Sequence, residues 1–244
     1  MSQIRAVIFD YYSTLLDIQT NEGKEELYEY LSLYLQYYGA NIGPQKVRSA
    51  IELEKERCFK TSQERYPELD MEVVFRNVLS KEGLNNEFLA ESCTKLFRLL
   101  SRERFKLFPD SLPVLREMKS DGYPLAVITD AQKSFCLEEA KMVGLIRFFN
   151  YIVISTYFGF RKPDPRLFAV ACDLLDVEPG RAVYIGNDPR TDIKGAKQIG
   201  MKSILLTREP KGRTPEIEPD FRAGSLWEAW HWIRRSDWAP ASAP

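Results

Sequence analysis

The stretch Ile4-Arg5-Ala6-Val7-Ile8-Phe9-Asp10-Tyr11-Tyr12-Ser13-Thr14-Leu15 decides the fold. It opens as a short apolar run with β-branched residues, the pattern of a strand buried in a parallel sheet. The run stops at a carboxylate, and two tyrosines, a serine and a threonine follow. In open α/β sheets ligands and chemistry gather at the carboxyl ends of the strands. Asp10 stands at such an end. An aspartate there equally suits a turn or a helix cap, so the rest of the chain has to decide between the two.

Downstream, residues 21–104 are charged and helical in pattern. Leu27, Leu31, Tyr34, Leu35 and Tyr38 share one helical face, and Gly39 and Gly43-Pro44 end that helix. Further helices are predicted over 45–62, from Asp70 to Gly83, and over 86–104. From Phe108 the rhythm changes to strands alternating with helices. Strands are expected over 123–128, 151–154, 182–185 and 203–206, with a short edge strand at Phe221. Helices are expected over 111–121, 132–143, 165–175, 191–199 and 226–233. This alternation implies an α/β, doubly wound, Rossmann-like parallel sheet with an inserted α-helical cap. The division expected is a core of 1–16 and 105–236, a helical cap of 17–104, and a disordered tail of 237–244.

Composition narrows the function. Among 244 residues the formal net charge is −1, which gives no global bias toward nucleic acid or membrane. The four cysteines, Cys58, Cys93, Cys136 and Cys172, are scattered without a CxxC pair, so neither a zinc site nor a disulfide framework is expected. The start of the chain lacks the pattern of a secretory signal, and no apolar run reaches the ~18 residues of a membrane span. A cytoplasmic protein is the expectation. The single histidine, His231, is the sole candidate for any histidine-dependent chemistry.

Right-handed crossovers place the strand-end polar groups on one rim. Four clusters sit there: Asp10 with Thr14, then Thr129-Asp130, then Arg161-Lys162-Pro163-Asp164-Pro165, then Gly186-Asn187-Asp188-Pro189-Arg190-Thr191-Asp192. An ionised carboxylate is a usable nucleophile at neutral pH, but like charge keeps it from a phosphate. Asp188 and Asp192 add negative charge, and carboxylates gathered with room for water suit Mg²⁺. Lys162 supplies a positive point charge beside the nucleophile. The Thr129 hydroxyl and the N–H groups of the turn at Tyr11 and Tyr12 can hold phosphoryl oxygens. Thr14 and Asp130 complete the expected phosphate- and substrate-binding set. Taken singly, Lys162-Pro163 reads as a loop, Thr129 as a turn residue, and Asp188 and Asp192 as N-caps. Their joint occurrence in this order at strand ends favours chemistry.

These four motifs resemble those of the haloacid dehalogenase-like hydrolases, a superfamily of phosphatases, dehalogenases and phosphonatases. The resemblance implies Asp10 as nucleophile, Thr129 and Lys162 as stabilisers of phosphate or intermediate, and Mg²⁺ held by Asp10, the Tyr12 backbone carbonyl, and Asp188 or Asp192. It also implies a helical cap over the rim and a small anionic substrate. Family phosphatases carry an acid–base aspartate two residues after the nucleophile, where this chain has Tyr12. A phenol of pKa near 10 is a poor substitute, and Asp130 is a candidate replacement. The Asp-x-Tyr pattern is shared with 2-haloacid dehalogenases, which use no metal. The long fourth motif and Phe168, where dehalogenases tend to have tyrosine, speak for a phosphatase preferring good leaving groups. Two alternatives stand beside it: a metal-independent dehalogenase, and a metal- or phosphate-binding module with little turnover.

On the helical segment, Arg57, Lys60 and Arg65 could meet an anionic substrate or form a solvated face. The tyrosines between 28 and 38 could line a pocket, pack helix on helix, or make a homodimer contact. Trp227, Trp230 and Trp232 read as core or interface residues.

Overall fold

The computed structural model describes residues 4–208 and 217–235. The chain runs β1 (Ala6–Phe9), β2 (Leu16–Thr20), α1 (Glu25–Tyr37), α2 (Pro44–Thr61), α3 (Met71–Lys81), α4 (Glu87–Ser101) and β3 (Arg102–Leu107). It continues through α5 (Ser111–Ser120), β4 (Leu125–Thr129), α6 (Lys133–Met142), β5 (Tyr151–Ile154), α7 (Pro165–Leu174), β6 (Ala182–Gly186), α8 (Lys194–Gln198), β7 (Lys202–Leu206), β8 (Phe221–Ala223) and α9 (Leu226–Arg235). The tail expected to be disordered lies outside the described residues.

Six strands form a parallel sheet in the order β5-β4-β1-β6-β7-β8. The chain builds outward from β1 on one side through β4 and β5, then returns to the other side for β6, β7 and β8. The order therefore reverses between β1 and β6, the place where doubly wound sheets open a crevice. Successive side chains alternate between faces. Val7, Phe9, Val127 and Ile185 pack with α5, α6 and α9, while Ala6, Ile8, Ile128 and Tyr184 pack with α7 and α8. The sheet is thus buried on both faces, as the Rossmann-like pattern requires.

The four helices between β2 and β3 have a core of their own, with Leu27, Leu31, Leu35, Val47, Ile51, Phe75 and Phe97 at its centre. Tyr28 is buried in that core with Tyr34 and Tyr38 packed against it, so packing between helices accounts for these tyrosines. Side-chain caps start two of the helices: Asp70 accepts the Glu72 N–H at 2.9 Å, and Asn86 accepts the Leu89 N–H at 3.1 Å.

Two elements depart from the sequence reading. Residues 17–20 and 102–104 are not helical: β2 and β3 pair as an antiparallel ribbon, with Asp17 opposite Lys106 and Ile18 opposite Phe105. The expected boundaries at 17 and 104 fall inside this ribbon. Its strands are half exposed and rich in charge, so no apolar run marks them, and the Arg104–Asp17 ion pair at 2.8 Å runs across them. The helix expected over 191–199 instead begins with a single π-helical turn, Pro189–Ile193, before α8. Such turns are frequent at functional sites.

Candidate active site

β1 delivers Asp10 to the carboxyl edge of the sheet, where its N–H donates to the Ile185 carbonyl at 2.9 Å. Its carboxylate is buried, and Lys162 reaches it from the loop before α7. Lys162 Nζ lies 2.6 Å from Asp10 Oδ1 and 2.7 Å from Asp192 Oδ1. The ammonium therefore bridges two buried carboxylates. Burial alone would pull Lys162 down, but Asp10 and Asp192 outweigh it and hold the amine well above the ordinary lysine range. Burial pushes Asp10 up to about 7; Lys162 works against this and Asp192 adds to it.

Asp192 is the anchor of this arrangement. The π-helical turn folds it back over Gly186, so closely that a Cβ on Gly186 would lie 2.5 Å from the carboxylate. Only glycine fits there. Asp192 Oδ2 accepts the N–H groups of Asn187 and Asp188, both at 3.0 Å. Its Oδ1 accepts Lys162 and the Tyr184 hydroxyl, the latter at 3.2 Å. Four protein donors thus occupy this carboxylate, which argues for a positioning role and against direct metal ligation. Asp188 accepts the Arg190 N–H at 2.7 Å and caps its turn. The residue of this motif that faces the nucleophile is Asn187. The Thr14 hydroxyl stands 2.9 Å from Asp10 Oδ2 and 3.3 Å from Asn187 Oδ1. One hydroxyl proton cannot satisfy both oxygens, so two acceptors converge on one point across the β1–β6 crevice.

The other expected residues divide. Thr129 is buried at the end of β4, the strand paired with β1. Asp130 Oδ1 accepts the Lys162 N–H at 3.1 Å, and burial raises its carboxyl above the usual range. The Tyr11 side chain is buried in the core against Tyr12, ring centroids 4.8 Å apart, which leaves its backbone, the part expected to meet a phosphoryl oxygen, for a ligand. The Tyr12 hydroxyl donates to Glu139 Oε2 at 2.5 Å, and burial pushes that phenol well above its ordinary range.

A cavity of about 410 Å³ opens between the helical segment and the sheet edge. Tyr12 and Asp130 line it with Phe59, Phe97, Phe135, Lys55, Arg98, Glu68 and Arg161. Arg57, Lys60 and Arg65 do not. Arg57 and Lys60 pair with Glu54 and Glu56 along their own helix, and Arg65 lies over the Tyr66 ring. The sequence reading leaves Asn187 open as a metal ligand beside Asp188 and Asp192, and misses Tyr184, Glu139, Arg98 and Glu68. Asn187 had a signal, since it follows the strand-ending Gly186 directly; the others depend on long-range packing. Among the described residues no group of three His, Cys, Asp or Glu side chains is placed to hold a metal ion. No helix among them is long and apolar enough to cross a membrane.

Comparison with known proteins gives the family. The sequence profile of the haloacid dehalogenase-like hydrolases matches residues 4–200. The chain belongs to that family. Among curated proteins it is 34% identical over 157 residues to a phosphoserine phosphatase of Thermus thermophilus, a match spanning 64% of this chain and 62% of that one. It is 28% identical over 234 residues to the N-acylneuraminate-9-phosphatase of Mus musculus, spanning 93% of each. A match to the glyceraldehyde 3-phosphate phosphatase of Methanopyrus kandleri is 33% identical and spans 47% of this chain and 48% of that one. Among solved structures, a 2-haloacid dehalogenase of Pseudomonas syringae superposes with TM-score 0.77 at 24% identity, covering 96% of this chain and all of that one. That likeness concerns the fold.

Proposed function

We propose that this haloacid dehalogenase-like hydrolase is a Mg²⁺-dependent phosphatase of small phosphorylated metabolites, with Asp10 as nucleophile. The observation that carries the reading is the bridge from Lys162 to Asp10 and Asp192, with the near chain neighbours Tyr12, Asp130 and Arg161 lining a metabolite-sized cavity. The phosphatase names among the relatives support it. Two carboxylates against one ammonium leave the centre net negative, with Asp130 close by, so a phosphate needs a further cation to approach. The converging oxygens of Asp10 and Asn187 are hard donors that fit magnesium. Bound by Asp10, Asn187 and the Tyr12 carbonyl, Mg²⁺ would supply the charge that offsets repulsion between Asp10 and the phosphoryl oxygens.

This chain's own residues do the rest. Asp10 attacks phosphorus and displaces the substrate's leaving oxygen as its P–O bond breaks, giving an aspartyl phosphate; water then attacks that phosphorus, releasing inorganic phosphate and restoring the Asp10 carboxylate. Lys162 stays protonated and stabilises the charge on the transferring group, while Asp192 and Tyr184 hold the ammonium in place. Thr129 and the backbone N–H groups after Asp10 take phosphoryl oxygens. The helices between β2 and β3 act as a cap over the cavity. Because the Tyr12 hydroxyl is committed to Glu139, leaving groups get no help from it. Aryl and acyl phosphates are therefore the favoured substrates, ahead of sugar phosphates.

The test is trapping. Protein incubated with Mg²⁺ and BeF₃⁻ should give a ¹⁹F-detected adduct that EDTA removes and Asp10→Asn lacks. Halide release from 2-chloropropionate in EDTA, without an adduct, would move the assignment to a dehalogenase. Ligand binding with neither signal would leave a binding module.

A further inference from the structure

We propose that Arg161 docks a carboxylate carried on the organic part of the substrate. The inference rests on the phosphatase reading for the phosphoryl end and adds the chemistry of the other end.

The cations lining the cavity are not equivalent. Lys55 is paired with Glu22 at 2.9 Å and Glu52 at 3.3 Å. Arg98 is held by Glu139 through Nε at 2.9 Å and Nη2 at 3.1 Å. Arg161 has no carboxylate within ion-pair distance among the described residues; its guanidinium lies 5.9 Å from the centroid of the Phe59 ring. Its charge is thus available to a ligand, and an aromatic face steadies it without neutralising it.

The two acids nearest it do not use it up. Asp130 is occupied by the Lys162 N–H, and Glu68 Oε2 takes the Ser155 hydroxyl. Both feel the Arg161 charge from beyond contact range. Burial pushes Glu68 up to about 7, so near neutrality this acid is partly uncharged.

The backbone fixes where the guanidinium can be. The Arg161 N–H donates to the Tyr66 carbonyl at 2.9 Å, and the next residue is Lys162 on Asp10. Arg161 lines the cavity with Tyr12 and Asp130, and its chain neighbour Lys162 holds Asp10, so a phosphoryl group on Asp10 and a second anion on Arg161 suit the two ends of one small substrate. The guanidinium fork matches a planar carboxylate with two parallel hydrogen bonds, which an ammonium cannot do.

The experiment uses two ligands that cannot turn over, phenylphosphonate and 4-carboxyphenylphosphonate, titrated by calorimetry in Mg²⁺ into wild type, Arg161→Met and Arg161→Lys. Arg161 is exposed, so the variants should melt with wild type. The carboxylate should tighten wild-type binding about tenfold. Arg161→Met should abolish that gain and leave phenylphosphonate unchanged, and Arg161→Lys should keep only part of it. Equal affinity of the two ligands for wild type, or a gain that survives in Arg161→Met, would overturn the proposal while the phosphatase reading stands. Failure of both ligands to bind would overturn the phosphoryl site and this proposal with it.

Discussion

The Tyr12 phenol and the Glu139 carboxylate are joined at 2.5 Å, and Arg98 closes on the same carboxylate from α4 while stacking over the Tyr12 ring at 4.9 Å. The residue two places after the nucleophile thus ties the sheet edge to the helical segment. Its proton is committed to Glu139. Tyr12→Phe should therefore leave kcat on an aryl phosphate within about threefold, since no general acid worth 10²–10⁴ is being removed. The same change removes one of two donors to a buried carboxylate oxygen, Arg98 Nη2 remaining as the other, so stability should fall by about 1 kcal/mol in urea unfolding. A hundredfold loss of kcat would show that the phenol is the acid after all.

How much of this was legible in the sequence differs by residue. Asp10, Thr129 and Lys162 stand at or just after apolar strands, and the parallel alternation places those ends on one rim. The β2–β3 ribbon was not legible, because Arg102, Glu103 and Arg104 look the same on an exposed strand as on the last turn of a helix. Nor could spacing say which of Asp188 and Asp192 faces Lys162. That choice is made by the π-helical turn and the space over Gly186, which let two backbone N–H groups capture Asp192. Tyr184 reads as one more apolar residue of β6 until its hydroxyl is found between Lys162 and Asp192.

Among the described residues Lys162 is the one cation touching both Asp10 and Asp192. Lys162→Met would leave two like charges facing each other in a buried site. Breaking a buried pair this way costs about 3–5 kcal/mol, so the melting temperature near neutral pH should drop sharply. Phosphate transfer should fall by about 10²–10³ in kcat, as when a charge-stabilising group is lost. Adding Asp10→Asn to Lys162→Met should recover part of the stability and none of the activity. Failure of the double variant to regain stability would show that Lys162 matters through packing alone.

Glu68 should set a pH dependence of stability. Burial holds its carboxyl at about 7 in the folded chain against 4.5 unfolded. Between those values the native state binds the extra proton. The stabilisation is therefore complete below pH 4.5 and is lost as pH rises through 7. The groups facing Glu68 are the Ser155 hydroxyl, the Leu69 N–H, Asp130 and Arg161. The loss should be on the order of 1–3 kcal/mol across this window. In Glu68→Gln the corresponding slope should vanish from urea-unfolding free energies measured between pH 5 and 8. An unchanged slope would assign the titration elsewhere.

Ser13 closes the turn that follows the nucleophile with φ at +63°, in the left-handed region, and its N–H donates to the Leu16 carbonyl at 2.6 Å. A residue with a Cβ is held there at a cost of about 1 kcal/mol that glycine does not bear. The turn brings the Thr14 hydroxyl back to Asp10 Oδ2 at 2.9 Å. Ser13→Gly should keep that geometry while releasing the strain, at some cost in unfolded-state entropy. A net gain of about 0.5 kcal/mol in urea unfolding, with kcat on an aryl phosphate unchanged, is the expected outcome. Lost activity with unchanged stability would show instead that the Ser13 side chain itself contributes at the site.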